Sequence, residues 1–214
     1  MAQRPVYIPM NCTPFVKTEN VEFKFFPGFS EIQKMRNIKG LHTAFLAKNP
    51  DLRLLEISSK SSVPLGIKLS AFNLQILLPK SGKRVSVESA FQSSKIFVGG
   101  KQFVDLLYKP SRDAKRDPRL RESGSLEAFR FFNYEFPLEP KTYFYDWLYI
   151  NALYRQKNLA EEILNYDAFT DIEFNQKKSL NCQAKAAAIF VSLARAKLID
   201  DAVLDKEKFL EIVY

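Results

Sequence analysis

An acid, an amide and an amine recur at Glu88, Gln92 and Lys95 within residues 85–100, VSVESAFQSSKIFVGG. On a helix of about 3.6 residues per turn the spacing i, i+4, i+7 stacks them in one stripe. Val87, Ala90, Phe91, Ser94 and Val98 fall on a neighbouring face that can bury. The stripe therefore runs along the border of a core, where a pocket can open. A carboxylate such as Glu88 can stabilise a developing positive charge or activate water. A lysine nearby can serve as a charge partner or as an acid toward a leaving group. With its pKa lowered by desolvation it can also act as a nucleophile that forms an imine with a carbonyl carbon. The same spacing equally describes two solvated charges on a helix surface, too far apart to bond directly.

Other residues suit a phosphorylated sugar. The polar run at residues 58–62 follows a strand-like segment, and the hydroxyls and amine of Ser58, Ser59 and Lys60 fit a phosphate or a ribose as well as they fit a plain turn. Asn181, Cys182 and Gln183 precede an alanine-rich helix at residues 183–198, where the N-terminal amides form either a diphosphate site or an ordinary cap. Asp171, in the alternating segment 168–174, is a second acid that can accept from a hydroxyl of a bound sugar. Trp147, the one tryptophan, can stack on a purine or simply pack. Cys12 and Cys182 form no CxxC pair and His42 is the sole histidine, so no zinc ligand set and no disulfide framework is expected. His42 alone reads as a surface or satisfied core residue rather than a catalyst. Neither metal nor cofactor is expected.

The charge points to an anionic partner. A net charge of +8 with a pI near 9.4 favours polyanions, through release of condensed counterions, although a solvated basic surface has the same composition. Residues 108–126 carry six basic side chains against three acids. Arg112, Lys115, Arg116 and Arg119 are the candidates for nucleic-acid phosphates, since a basic segment can follow a backbone without reading bases. Residues 126–136 are rich in aromatics, which serve a core or a stack of single-stranded bases.

The elements that position these groups are legible in outline. Residues 21–26 alternate as a strand, and Ser30 with Gln33 makes a capping box for a helix toward Ala47, with Ile32, Met35, Leu41, Phe45 and Leu46 inward. Residues 52–57 read as a short strand and 65–78 as one longer strand or two pieces with a bend. A turn at 81–83 leads into the central helix with Ser86 as N-cap. Residues 103–107 are helical, 143–164 form one or two helices, and Asp205 caps a last helix. At 214 residues the length fits a single domain spanning 1–214, α+β in class, helix-dominated around a small β-sheet. No apolar run is long enough to span a bilayer and no secretory signal is present, so a cytoplasmic protein without a membrane partner is expected.

The order Leu69-Ser70-Ala71-Phe72, an apolar strand, a polar turn, then Val87-Glu88-Ser89-Ala90-Phe91-Gln92-Ser93-Ser94-Lys95 resembles the signature of the NADAR (YbiA-like) superfamily. Residues 55–61 (LEISSKS) and 181–184 (NCQA) are similar to segments of the narrower group found beside DarT1-type toxins. The resemblance implies an N-glycosidase that removes ADP-ribose from guanine bases, in DNA or nucleotide, as antitoxin to a cognate ADP-ribosyltransferase toxin. It would place Glu88 and Lys95 at the reaction centre, Gln92 beside them, and Ser70 and Phe72 in the pocket lining. Ala71 stands where the wider family often has asparagine, and no tryptophan-glycine ending follows Phe174. Hydrolysis of a small phosphoribosyl metabolite and a basic nucleic-acid-binding module without chemistry are the two other readings.

Overall fold

A computed structural model describes all residues except Phe29, Lys80, Lys177 and Lys178. The chain is a mixed α+β domain with 41% helix and 20% strand, so helices dominate as expected, but around three small sheets rather than one. The N-terminal hairpin of β1 (Ala2–Pro9) and β2 (Val16–Phe23) precedes α1 (Glu31–Leu46), β3 (Leu54–Glu56) and α2 (Pro64–Lys68). A second hairpin, β4 (Gln75–Leu77) and β5 (Arg84–Ser86), leads directly into α3 (Val87–Ser93). Next come β6 (Lys95–Phe97), β7 (Lys101–Gln102), a 3₁₀ turn (Val104–Tyr108), α4 (Ser111–Arg116) and α5 (Arg119–Glu122). The remainder is β8 (Leu126–Phe131), β9 (Tyr134–Phe136), α6 (Tyr143–Tyr154), α7 (Lys157–Ile163), β10 (Ala168–Thr170), α8 (Gln183–Arg195), α9 (Ile199–Ala202) and α10 (Lys206–Val213).

One four-stranded sheet runs β2-β1-β10-β3, with β10 parallel to β3 in the register Phe169↔Leu55. Strand β1 carries Pro5 although it lies inside the sheet. It pairs fully with β2 but meets β10 only at Tyr7↔Phe169, so the proline sits on a stretch with one free edge. The second four-stranded sheet, β7-β6-β8-β9, is antiparallel and lies at the end of α3. Helix α6 is buried on almost every side, from Tyr143 to Leu153, and contacts α8, whose small residues Ala184, Ala186, Ala187 and Ala188 are fully buried. These two helices form the centre of the larger core. A smaller cluster of Val6, Val21, Phe23, Ile38, Leu41 and Phe45 joins α1 to the first sheet.

Four expectations are corrected. Ile32 and Met35 are exposed, because the face of α1 that packs begins at Asn37, Ile38 and Leu41. Residues 65–78 are not strand throughout: Pro64 occupies the first helical turn of α2, where its missing N–H costs nothing, and only Gln75–Leu77 is strand. The central helix does not run through residues 85–100. It ends at Ser93, where Ser93 Oγ and Ser94 Oγ both donate to the Ala90 carbonyl, and Lys95 begins β6. Val98, expected on the buried face, is therefore 50% exposed. The expected caps hold: Ser30 Oγ accepts from Gln33 N at 3.3 Å, Ser86 Oγ from Ser89 N at 3.0 Å, and Asp205 Oδ1 from Lys208 N at 2.7 Å.

Candidate functional site

Helix α3 delivers Glu88 in its first turn, and every residue of that helix is buried. Glu88 N donates to Ala71 O at 2.9 Å, which ties the helix to the turn that follows α2. One turn on, Gln92 Nε2 donates to Glu88 Oε1 at 2.8 Å. The other end of the same amide, Gln92 Oε1, is buried with no hydrogen-bond partner among the described residues. An acceptor is thus held open beside a carboxylate.

Lysines reach this acid from two elements. Lys115, on α4, places Nζ 3.7 Å from Glu88 Oε1 and 5.1 Å from the centre of the Phe72 ring. Lys95, at the start of β6, has Nζ 5.2 Å from the centre of the Phe91 ring. Burial lowers its pKa from the usual lysine value; Glu88 opposes that shift and Lys115 adds to it. Tyr145 of α6 meets Phe91 edge-on at 5.3 Å, and its phenol is held neutral by burial and by the Glu88 charge.

A second polar cluster stands on the other side of Ala71. Gln183, at the start of α8, accepts from Ala71 N at 2.7 Å and donates to Ile57 O at 2.7 Å. Ala71 is therefore held by Gln183 through its N–H while its carbonyl holds Glu88. Gln183 also hydrogen-bonds Asp171, whose carboxyl is raised above the usual range by burial and by neighbouring Glu56. Glu56 is itself raised by burial, although it accepts from Thr170 Oγ1 at 2.6 Å and Ile172 N at 2.8 Å. Ser58 is buried and bonds Glu56 as well as Lys60 N. His42 Nε2 lies 2.9 Å from Thr170 Oγ1, so the histidine is a bonded, half-buried residue outside the Glu88 group.

Glu88, Gln92, Lys95 and Phe72 come together around one acid, and Asp171, Gln183 and Ser58 form the adjoining cluster. Ser70 is buried and donates to Ile67 O at 2.8 Å. Lys60 is half-buried and pairs with Glu31 at 3.4 Å. Asn181 is half-buried, its carbonyl accepting from Ser179 Oγ at 3.3 Å. Trp147 packs on Phe136 and Tyr134, and its Nε1 is buried without a partner among the described residues. Of the basic candidates, Arg112 and Arg116 are exposed, whereas Arg119 is bound to Asp117 and Asp105 at 2.8 and 2.7 Å. Lys115 belongs beside Glu88, and neither its place there nor that of Tyr145 carried a signal in the sequence. Both depend on helices packed from elsewhere in the chain. Among the described residues no three histidine, cysteine or carboxylate side chains are grouped to hold a metal, and no helix is long and apolar enough to cross a membrane.

The arrangement offers a carboxylate with a fixed amide, a lysine biased toward its neutral form, and an open acceptor. A family model described as the DarT1-associated NADAR antitoxin matches residues 2–214. No curated protein matches the chain.

Proposed function

The chain belongs to the DarT1-associated NADAR antitoxin family, and on that premise we propose that it is an ADP-ribosyl N-glycohydrolase. It removes ADP-ribose from guanine bases of nucleic acid, as one catalytic domain over residues 1–214, acting in the cytoplasm against a cognate DarT1-type ADP-ribosyltransferase. The observation that carries this reading is the buried Glu88 carboxylate, fixed by Gln92 at 2.8 Å and set beside a lysine whose pKa burial has lowered.

In this reading Glu88 stabilises the positive charge that develops at C1′ as the bond to guanine lengthens. Gln92 holds the carboxylate in place and keeps its free oxygen for a ribose hydroxyl. Lys95, with a neutral fraction raised by desolvation, attacks C1′. The electron pair of the glycosidic bond leaves with the base, which takes up a proton, and the sugar ring opens to an imine on Nζ. Water then hydrolyses the imine, releasing ADP-ribose and the free amine. Phe72 and Lys115 form the wall facing the acid.

The test is release of free ADP-ribose from an oligonucleotide carrying ADP-ribosylated guanine. The parent protein releases it, and Glu88→Gln is slower by about 10²–10⁴-fold while still binding the oligonucleotide. Borohydride added during turnover leaves a stable adduct on Lys95 in the parent and none in Lys95→Ala. Equal rates for parent and Glu88→Gln, or no release by either, would sink the proposal.

A further inference from the structure

Two basic clefts lie next to this site without including Glu88, Gln92 or Lys95. The first, of about 570 Å³, is lined by Lys68, Arg155 and Lys157 together with Asn73 and Asn158, with Glu162 as its one acid. The second, of about 460 Å³, is lined by Lys83, Arg84, Tyr108, Lys109 and Ser111 and contains no acid among the described residues. They share a wall: Gln156 lines the first and donates through Nε2 to the carbonyl of Gln75, which lines the second, at 2.9 Å.

Five of the six cations that line the clefts differ from the basic side chains nearer Glu88. Lys109, the sixth, is paired with Asp105 and Asp117, as is Arg119, and Lys115 is paired with Glu88. Among the described residues Lys68, Lys83, Arg84, Arg155 and Lys157 form no ion pair, and all five are exposed. Unpaired cations crowded along one groove repel each other, and a polyanion relieves that repulsion while its own counterions are released.

We propose that the two clefts form one track for the phosphodiester backbone of the nucleotides that flank the modified base. The proposal rests on the reading that the Glu88 site acts on a base within nucleic acid. Two helices set the track in register with the site. Helix α4 presents Ser111 to the second cleft and, one turn later, Lys115 to Glu88; α3 presents Ser89 to the cleft and Glu88 to the site. On α4 the two are four residues apart, about 6 Å along the axis, and on α3 they are adjacent, about 100° apart around it. Tyr108 is 58% exposed and has Lys83 Nζ 5.1 Å from its ring centre, an aromatic platform with a cation beside it on which a flanking base can stack. A single strand fits these features better than an acidic protein surface. The first lining offers amides and cations with Leu159 as its sole large apolar side chain, and protein partners anchor on an apolar or aromatic centre.

The experiment compares the parent with Lys68→Gln/Arg155→Gln/Lys157→Gln and with Lys83→Gln/Arg84→Gln, all at exposed positions. Binding of an unmodified 12-nucleotide single strand is followed by anisotropy from 50 to 300 mM salt, with polyglutamate as a second probe. Each variant is expected to bind the strand at least tenfold more weakly and to show a shallower salt slope, by about 0.7 for each phosphate that is no longer neutralised. On ADP-ribosylated substrates KM rises for the oligonucleotide and stays unchanged for the mononucleotide. Unaltered strand binding overturns the proposal, as does an equal KM rise on the mononucleotide. Loss of polyglutamate binding alone would make the track a surface for an acidic protein. If no ADP-ribose is released from either substrate, the catalytic reading fails, while the strand-binding result still decides the track.

Discussion

Lys115 Nζ stands 3.7 Å from Glu88 Oε1, so the cation paired with the buried acid comes from α4 and not from the strand that carries Lys95. The two lysines are then electrostatic rivals. Lys115 pushes the Lys95 pKa down and Glu88 pushes it up, both on top of the larger effect of burial. Lys115→Met should raise the Lys95 pKa and Glu88→Gln should lower it further. The pH dependence of Lys95 acylation, read by mass spectrometry, measures this without any substrate. Identical midpoints in the three proteins would show that neither charge is felt at Lys95.

Gln183 is the strut between α8 and the Ala71 turn. Gln183→Leu keeps the volume but orphans the Ala71 N–H and the Ile57 carbonyl. Each buried group left unpaired costs about 1–3 kcal/mol, so the expected loss from urea unfolding is roughly 2–6 kcal/mol. Because Ala71 O holds Glu88 N, catalysis should fall even at temperatures where the variant is fully folded. A change in stability below about 0.5 kcal/mol would mean the two bonds are replaced by water.

His42 gives a pH signature. The Thr170 hydroxyl donates to Glu56, so it accepts from His42 Nε2–H, and burial lowers the histidine to about 4. An unfolded histidine titrates near 6.5, so between these values the unfolded chain binds the extra proton. The stability that His42 contributes is therefore complete above about pH 6.5 and lost as pH falls toward 4, up to roughly 3 kcal/mol. Glu56 and Asp171, both raised, act in the opposite sense, but they do so in parent and variant alike. The unfolding free energy of the parent should fall more steeply over this window than that of His42→Gln. Parallel curves would refute the assignment.

Local signals in the sequence suffice where one element decides the outcome. Ser86 caps α3 as expected, and the i, i+4 spacing that puts Glu88 and Gln92 in one stripe also brings them into hydrogen-bond contact. The same periodicity extended to Lys95 fails, because hydroxyl bonds at Ser93 and Ser94 compete for the Ala90 carbonyl and Ile96 and Phe97 prefer the pairing offered by β8. Pro64 is a helix-start signal hidden inside an apolar run that looks extended. The partnership of Glu56 with Thr170, and of Ala71 with Gln183, spans 114 and 112 residues, a separation at which spacing carries no information.

That separation also sets a clock. Gln183 follows Ala71 by 112 residues, and β10, which completes the first sheet, emerges only shortly before it. At about 5–20 residues per second, ribosomes need roughly 6–20 s to make the stretch between the two halves of the site. For most of that interval, once Lys95 has been made, a nascent chain carries Glu88 and Lys95 yet lacks the strut that holds Ala71. A chain cut short before α8 therefore never acquires the bond that holds the Ala71 turn.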